Sequence, residues 1–161
     1  FFVYAAEDKL ILWGDLTTME PVHDMILDEP FVSMERCVGA FGEYVTVTAG
    51  HDAMFIDLAT HEVVKRHTLD VPPSSIYLHP TTAHTFVAGS TADEWVRIYE
   101  YESGKELDLN KGHHGPVHCV SYTPDGEAAA SGSEDGTLMA LTPGTIRLWQ
   151  TTPGKKYGHW E

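Results

Sequence analysis

The stretch from Gly112 to Trp149 constrains the fold of this chain more than any other part of the sequence. It consists of GHHGPVHCVSYTPDGEAAASGSEDG, then TLMALTPG, then the beginning of TIRLWQ. Alternation through residues 117–121 predicts a half-buried strand, and a tight turn is expected at residues 123–126. A small-residue strand at 128–131 and a second hairpin turn at 133–136 follow. With a closing strand at its end, this stretch predicts a small antiparallel sheet.

The rest of the chain repeats this pattern. Short β-branched and aromatic runs are separated by Gly, Pro and Asp, which indicates an all-β array with no helical periodicity. The repeat is roughly 42 residues long, and such periods are typical of blade-like units. The predicted units are 1–27 (partial), 31–66, 74–109 and 112–160, with residues 157–160 as the outer strand of the last.

Four separated residues give the last unit a resemblance to a WD repeat, the blade of a β-propeller. They are His113, Ser131, Asp135 and Trp149. The resemblance implies a buried, structural hydrogen-bond tetrad in which the Asp accepts from the His, which connects to the Ser hydroxyl and the indole. The residue types fit, since a carboxylate only accepts, an indole only donates and an imidazole does both. Roughly three and a half blades do not close a ring, so we expect a fragment, the C-terminal half of a propeller whose N-terminal half is a partner.

The segment 137–144 interrupts this unit. WD repeats of this kind place the Trp about six residues after the Asp, whereas Trp149 follows Asp135 by fourteen. Residues 137–141 alternate well enough to form the third strand, which would put Leu141 at the Trp position and form no tetrad. We favour residues 145–149 as the third strand, with 137–144 as an inserted loop. Intron sequence read into the protein would give the same insertion.

The two middle units lack most of the tetrad. Asp93 occupies the turn of one, but Gly89 and Tyr99 stand at the Ser and Trp places, and the other unit has Asp52 and no Trp. We therefore expect these units to depend on apolar packing between sheets, with little help from polar networks.

Charge and cysteine content limit the classes of function. The 24 acidic and 10 basic residues give a net charge of −14, which opposes direct nucleic-acid binding and favours basic protein partners or solubility alone. No apolar run approaches the length of about 18 residues that a membrane-spanning helix needs, so no membrane association is expected. Cys37 and Cys119 each lie in an apolar run and are expected to be buried, reduced thiols.

The similarity extends beyond one repeat. LWGDLTTMEPV, FVSMERC, IYLHPTTAHTFVAGS and YEYESGKEL precede the last unit in that order. Together with it they resemble the serine-threonine kinase receptor-associated (Unr-interacting) family. The closest alternative is the WD-repeat subunit i of eukaryotic translation initiation factor three, whose last repeat lacks Leu-Trp-Gln followed by Tyr-Gly-x-Trp. Trp149, Tyr157, Gly158 and Trp160 therefore favour the first family.

This resemblance implies a non-catalytic scaffold without a cofactor, present in the cytoplasm and the nucleus. The resemblance implies association with the survival-of-motor-neuron complex, which assembles spliceosomal ribonucleoproteins for mRNA splicing. It also implies binding to an RNA-binding protein with a cold-shock domain and a role in kinase-receptor signalling. The loops that carry His114 and Glu134 are the candidate partner-binding loops.

Two chemical alternatives are disfavoured. Ser131, His113 and Asp135 contain the residue types of a hydrolase triad, but a nucleophilic Ser needs an exposed sharp turn and an oxyanion hole. Three histidines near Cys119 suggest zinc, but zinc sites need four ligands at paired spacings. We expect neither an enzyme nor a metal site.

Overall fold

The architecture is all-β. The structure, a computed structural model, describes residues 1–6, 8–142 and 145–150, with side chains up to residue 141. In these residues the strands form four antiparallel sheets, and there is no helix. The predicted fold class, a set of partial propeller blades, is confirmed. The exact unit boundaries and the membership of a larger ring stay predictions.

Each sheet is a meander, because strands that follow one another in the chain are neighbours in the sheet. The first sheet contains β1 (Phe2–Ala5), β2 (Leu10–Gly14) and β3 (Pro21–Ile26). The second contains β4 (Phe31–Gly39), β5 (Gly42–Ala49), β6 (Asp52–Asp57) and β7 (Val63–Thr68). The third contains β8 (Ser75–Leu78), β9 (Thr85–Gly89), β10 (Trp95–Glu100) and β11 (Glu106–Lys111). The fourth contains β12 (Val117–Tyr122), β13 (Ala129–Ser133), β14 (Thr137–Thr142) and β15 (Thr145–Gln150).

Three apolar layers hold consecutive sheets together. The first layer joins Ile11 and Trp13 of the first sheet to the second sheet. The next joins Phe55 of the second sheet to Phe86 of the third. The last joins Val87 of the third sheet to the fourth. Because every layer draws side chains from two sheets, each buries apolar surface that neither sheet could bury alone.

Buried hydroxyl groups also connect strands of adjacent sheets. The Thr46 hydroxyl donates to the Ile76 carbonyl at 2.9 Å, between the second and third sheets. The Val120 amide donates to the Ser75 hydroxyl at 3.2 Å, between the third and fourth. These bonds give buried polar groups the partners that they need and fix the spacing of the sheets.

The prediction for residues 137–144 is wrong. Residues 137–142 are not a loop but form β14, the third strand of the fourth sheet, and β15 pairs outside it. The reason is local: Gly136 has a φ of +78°, and the Asp135 carboxylate accepts the Thr137 amide at 2.8 Å. The strand therefore begins directly at Thr137. Residues 157–160, predicted as the outer strand, lie outside the described residues.

The prediction of two buried cysteines is half wrong. Cys37 is buried, and burial raises the pKa of its thiol to about 11. Cys119 is exposed, because the pairing of β12 with β13 shifts register between Val117 and Cys119. Its sulfur lies over Gly132, where an added Cβ would be only 2.8 Å away.

We predict that Phe86→Ala destabilises the chain by about 3–5 kcal/mol, the usual loss for a large buried aromatic residue. Phe86 is fully buried, its ring stacks on Tyr99 at 5.1 Å and it meets Phe55 edge-on at 5.2 Å. Urea unfolding followed by tryptophan fluorescence measures the loss. Leu107→Ala, at a half-exposed side chain, serves as the control and should change stability by about 0.5 kcal/mol or less. Equal losses in both variants would contradict the layered core.

Candidate functional site

The central feature of the fourth sheet is a buried polar network around His113. Nε2 of His113 lies 2.8 Å from the Ser131 hydroxyl, and Nδ1 lies 3.0 Å from the Thr137 hydroxyl and 3.3 Å from the Asp135 carboxylate. The loop after β11 brings His113 to the turn between β13 and β14. Its side chain has no exposed surface, and that of Asp135 is 3% exposed. The network is therefore sealed from water.

The donors in this network can be assigned from its chemistry. The Thr137 hydroxyl donates to Asp135 at 2.6 Å, so its oxygen is left to accept from the His113 ring. We infer that Nδ1 carries the proton and that Nε2 accepts the Ser131 hydroxyl proton. Every polar group of the network then has a hydrogen-bond partner, as buried polar groups require.

The carboxylate of Asp135 is the anchor of this network. Burial alone would raise its pKa, but hydrogen bonds from the Thr137 hydroxyl and from the backbone amides of His114 and Thr137 outweigh burial and lower the pKa to about 2. The His114 amide donates at 2.8 Å. Asp135 is therefore ionised at neutral pH and joins the loop after β11 to the turn before β14.

The structure brings three of the four predicted tetrad residues together, namely His113, Ser131 and Asp135. The backbone of Trp149 lies in β15 opposite Leu138, and β14 separates it from the strand of Ser131. Its side chain lies outside the described part of the structure. The hydroxyl of Thr137 occupies a place in the network that the sequence analysis did not assign. The Asp-Gly-Thr sequence was the available signal, because an Asp carboxylate can accept hydrogen bonds from the residue two positions later, and a Thr there offers both its amide and its hydroxyl.

The predicted loop residues His114 and Glu134 lie at one end of the fourth sheet. Both are exposed. The Glu134 amide donates to the Pro116 carbonyl at 3.0 Å, and its carboxylate lies 3.3 Å from Nε2 of His118. Asp135 holds the backbone of His114 as described above. Rigid backbone with exposed polar side chains is suited to protein contacts.

Two arginines that the sequence analysis missed satisfy the turn aspartates of the middle units. Arg97, itself buried, binds Asp93 through both terminal nitrogens, at 2.6 and 3.1 Å, and reaches Glu106 at 3.2 Å. The hydrogen bond with Asp93 raises the pKa of Arg97.

Arg66 joins two carboxylates. Its guanidinium nitrogens lie 2.5 Å from the carboxylate of Asp52 and 2.7 Å from that of Asp28. The expectation of little polar support in these units is therefore wrong, because guanidinium groups replace the tetrad partners.

Two kinds of feature, a cluster of metal-ligating side chains and a long apolar helix, are absent from the residues that the structure describes. No group of three or more His, Cys, Asp or Glu side chains is arranged there to hold a metal ion. Within the same residues, no helix has the length and apolar character needed to cross a membrane.

Comparison with known families agrees with the geometry of the fourth sheet. The family described as "WD domain, G-beta repeat" matches residues 104–139, a segment that includes His113, Ser131 and Asp135. Residues 104–139 of this chain match a WD repeat. The hydrogen-bonded network around His113 is thus the polar core of its matched repeat.

Related proteins match this chain well beyond that segment. The serine-threonine kinase receptor-associated protein of Bos taurus is 38% identical over 99% of this chain and 42% of its own length. The protein of the same name from Dictyostelium discoideum is 39% identical over 66% of this chain and 33% of its own length. The resemblance predicted from the sequence is confirmed. The chain spans less than half of the length of these relatives.

A more distant relative corresponds to the alternative family. Eukaryotic translation initiation factor 3 subunit I of Bombyx mori is 27% identical over 79% of this chain and 42% of its own length. The receptor-associated proteins are thus more similar to this chain in sequence identity. The bovine protein also matches more of this chain, 99% against 79% for the Bombyx mori protein.

We predict that Asp135→Asn removes a pH-dependent part of the stability. Because the folded pKa is lowered from 3.8 to about 2, the ionised carboxylate stabilises the fold above pH 4, and this contribution falls as the pH drops from 4 towards 2. The difference from the unmodified chain should be about 2 kcal/mol at pH 7. Urea unfolding of both proteins at intervals between pH 7 and pH 3 tests this. A difference that is the same at every pH would contradict the assigned role.

We predict that Thr137→Val lowers the free energy of unfolding by about 1–3 kcal/mol, because His113 and Asp135 each lose a buried hydrogen-bond partner. The substitution keeps the shape of the side chain and the start of the strand. Thr81→Val is the matched control, since that hydroxyl is exposed and lies 3.4 Å from His79. Thermal unfolding at pH 7 compares the two, and equal midpoints would exclude Thr137 from the network.

Proposed function

We propose that this chain is part of a non-catalytic WD-repeat scaffold that binds other proteins. The observation that carries the proposal is the similarity to receptor-associated proteins, which extends over 99% of the chain. Such similarity concerns the whole set of sheets rather than one motif, and propeller proteins use their loop-bearing faces for protein contacts.

Burial of the His113 network supports a structural role. Ser131 is 1% exposed, so its hydroxyl has no access to a substrate carbonyl. The Asp135 carboxylate accepts hydrogen bonds from the backbone amides of Thr137, in the turn, and of His114. A nucleophilic Ser needs an exposed position with oxyanion donors nearby, and a buried hydroxyl within a satisfied network is a poor candidate.

The surface that we propose for partner contacts is the end of the fourth sheet around His114 and Glu134. Glu134 has a side chain that is 70% exposed, and the chain carries a net charge of −14. Electrostatic complementarity therefore favours a partner with a basic surface, and protein rather than nucleic acid is the partner class.

The cellular processes that we propose for this chain follow from its resemblance to the receptor-associated family. We infer a role in survival-of-motor-neuron-type assembly of spliceosomal ribonucleoproteins for mRNA splicing, and in kinase-receptor signalling, in the cytoplasm and the nucleus. The name of the bovine relative supports the receptor association. The alternative is a subunit of translation initiation factor three, which the similarity to the Bombyx mori protein supports at lower identity.

We predict that a tagged form of the chain captures survival-of-motor-neuron complex proteins from a eukaryotic cell extract, and that Glu134→Lys lowers this capture by about tenfold through charge repulsion. The matched control is Glu127→Lys. It makes the same charge change at an exposed residue in the turn between β12 and β13, whereas Glu134 lies in the turn between β13 and β14. Quantitative immunoblotting measures the captured protein.

Three outcomes contradict parts of the proposal. Capture of initiation-factor subunits in place of ribonucleoprotein-assembly proteins would select the alternative function. Equal capture by both charge variants would move the contact surface away from Glu134. Hydrolytic turnover that disappears in Ser131→Ala while the fold persists would identify an enzyme.

A further inference from the structure

Trp95 lies at one end of the third sheet, where the turn between β9 and β10 leads into β10. Its backbone amide donates to the Asp93 carboxylate at 3.2 Å, so the turn fixes the first residue of the strand. The indole is half-buried and keeps part of its surface accessible. Accessible aromatic faces attract cations, and the indole of Trp does so more strongly than the rings of Tyr and Phe.

Two cations of the chain already lie against this ring. Lys111 stands directly opposite Trp95 in the pairing of β10 with β11, and its Nζ atom is 4.1 Å from the ring centroid. The guanidinium carbon of Arg97 is 5.5 Å from the same ring. The indole of Trp95 is thus a place where this molecule binds positive charge.

The two cations are held differently. Arg97 is buried and has Asp93 and Glu106 as ion-pair partners. Lys111 is exposed, and none of the ion pairs between described residues includes it. Arg97 is therefore a fixed wall beside the indole, whereas the ammonium of Lys111 can leave the ring without breaking an ion pair.

The surroundings of the ring carry a negative charge. Arg97 contributes one positive charge, and Asp93 and Glu106 contribute two negative charges, which leaves a net charge of −1 beside the indole. The side chain of Glu106 is 46% exposed and is accessible from outside. An incoming cation would therefore meet an aromatic face and a negatively charged group together.

We propose that the indole of Trp95 is a binding site for an arginine or lysine side chain of a protein partner, and that Lys111 covers this site until the partner displaces it. Lys111 itself demonstrates that an ammonium group fits over the ring, and the net charge of −14 favours a basic partner. The inference rests on the proposed function only for the basic character of that partner. The site lies on the third sheet and does not include Glu134.

The test measures the binding of a defined probe to the full chain. The probe is an octapeptide of alternating arginine and glycine, blocked at both ends, and calorimetry at a fixed salt concentration gives its dissociation constant. Lys111→Ala uncovers the ring, so this variant should bind the probe about fivefold more tightly than the control Lys105→Ala. Lys105 is also exposed and lies in the turn between β10 and β11. Both variants lose one positive charge, but only Lys111→Ala uncovers Trp95.

The contribution of the indole is isolated by repeating this pair of variants together with Trp95→Leu. Lys111→Ala and Lys105→Ala should then bind the probe with equal affinity, because the ring that Lys111 covers is absent. Thermal unfolding checks that each variant is folded. A second measurement does not depend on Trp95→Leu: the indole N–H resonance of Trp95 should move on addition of the probe, and further in Lys111→Ala than in Lys105→Ala.

Two results would overturn the proposal. One is equal affinity of Lys111→Ala and Lys105→Ala for the probe, which would make Lys111 and Trp95 a cross-strand contact of the sheet and nothing more. The other is a difference between these variants that persists with Trp95→Leu. The expected difference in a chain that captures no ribonucleoprotein-assembly proteins would support the Trp95 site and contradict the proposed function, so the two failures are distinguishable.

Discussion

A strand whose successive side chains are all apolar must be covered on both faces, and this constraint determines the arrangement of the four sheets. In β6, Ala53 and Phe55 pack towards the third sheet, while Met54 and Ile56 pack towards the first. The second sheet can therefore exist only between two neighbours. The same need extends to the third sheet, where Phe86 and Val87 enter different layers. The outer strand β7 carries no such pattern and is largely exposed.

The aspartates in the hairpin turns are stabilised by different kinds of hydrogen-bond donor. Each carboxylate lies in a hairpin where burial alone would leave its charge without compensation. Asp135 is satisfied by hydroxyl and amide groups around His113, whereas Asp93 is satisfied by Arg97. For Asp52, burial raises the pKa, but hydrogen bonds from Arg66 and Thr68 outweigh it and lower the pKa. A hairpin turn can thus keep a charged aspartate without a histidine network, provided that a strand of the same sheet supplies a donor.

The sequence predicts the all-β class because turn residues break the chain into strands too short and too regularly spaced for helices. The resemblance of the last unit to a WD repeat predicts the meeting of His113 with Ser131 and Asp135, and the donor and acceptor types of these residues fit that prediction. The prediction from the sequence fails at β14, because residues 137–141 and 145–149 alternate equally well and the hydrophobic pattern cannot choose between them. The choice depends on the cap that Asp135 places on Thr137. Arg66 and Arg97 are missed for a related reason: strand register decides which cation reaches which turn, and that register is a tertiary property.

The sharing of each apolar layer between two sheets has a consequence for how the chain unfolds. The two inner sheets are held on both faces, while the first and fourth sheets are each held by a single described layer. Opening any one layer exposes apolar side chains on two sheets at once, so we expect neighbouring sheets to lose their structure together rather than one strand at a time.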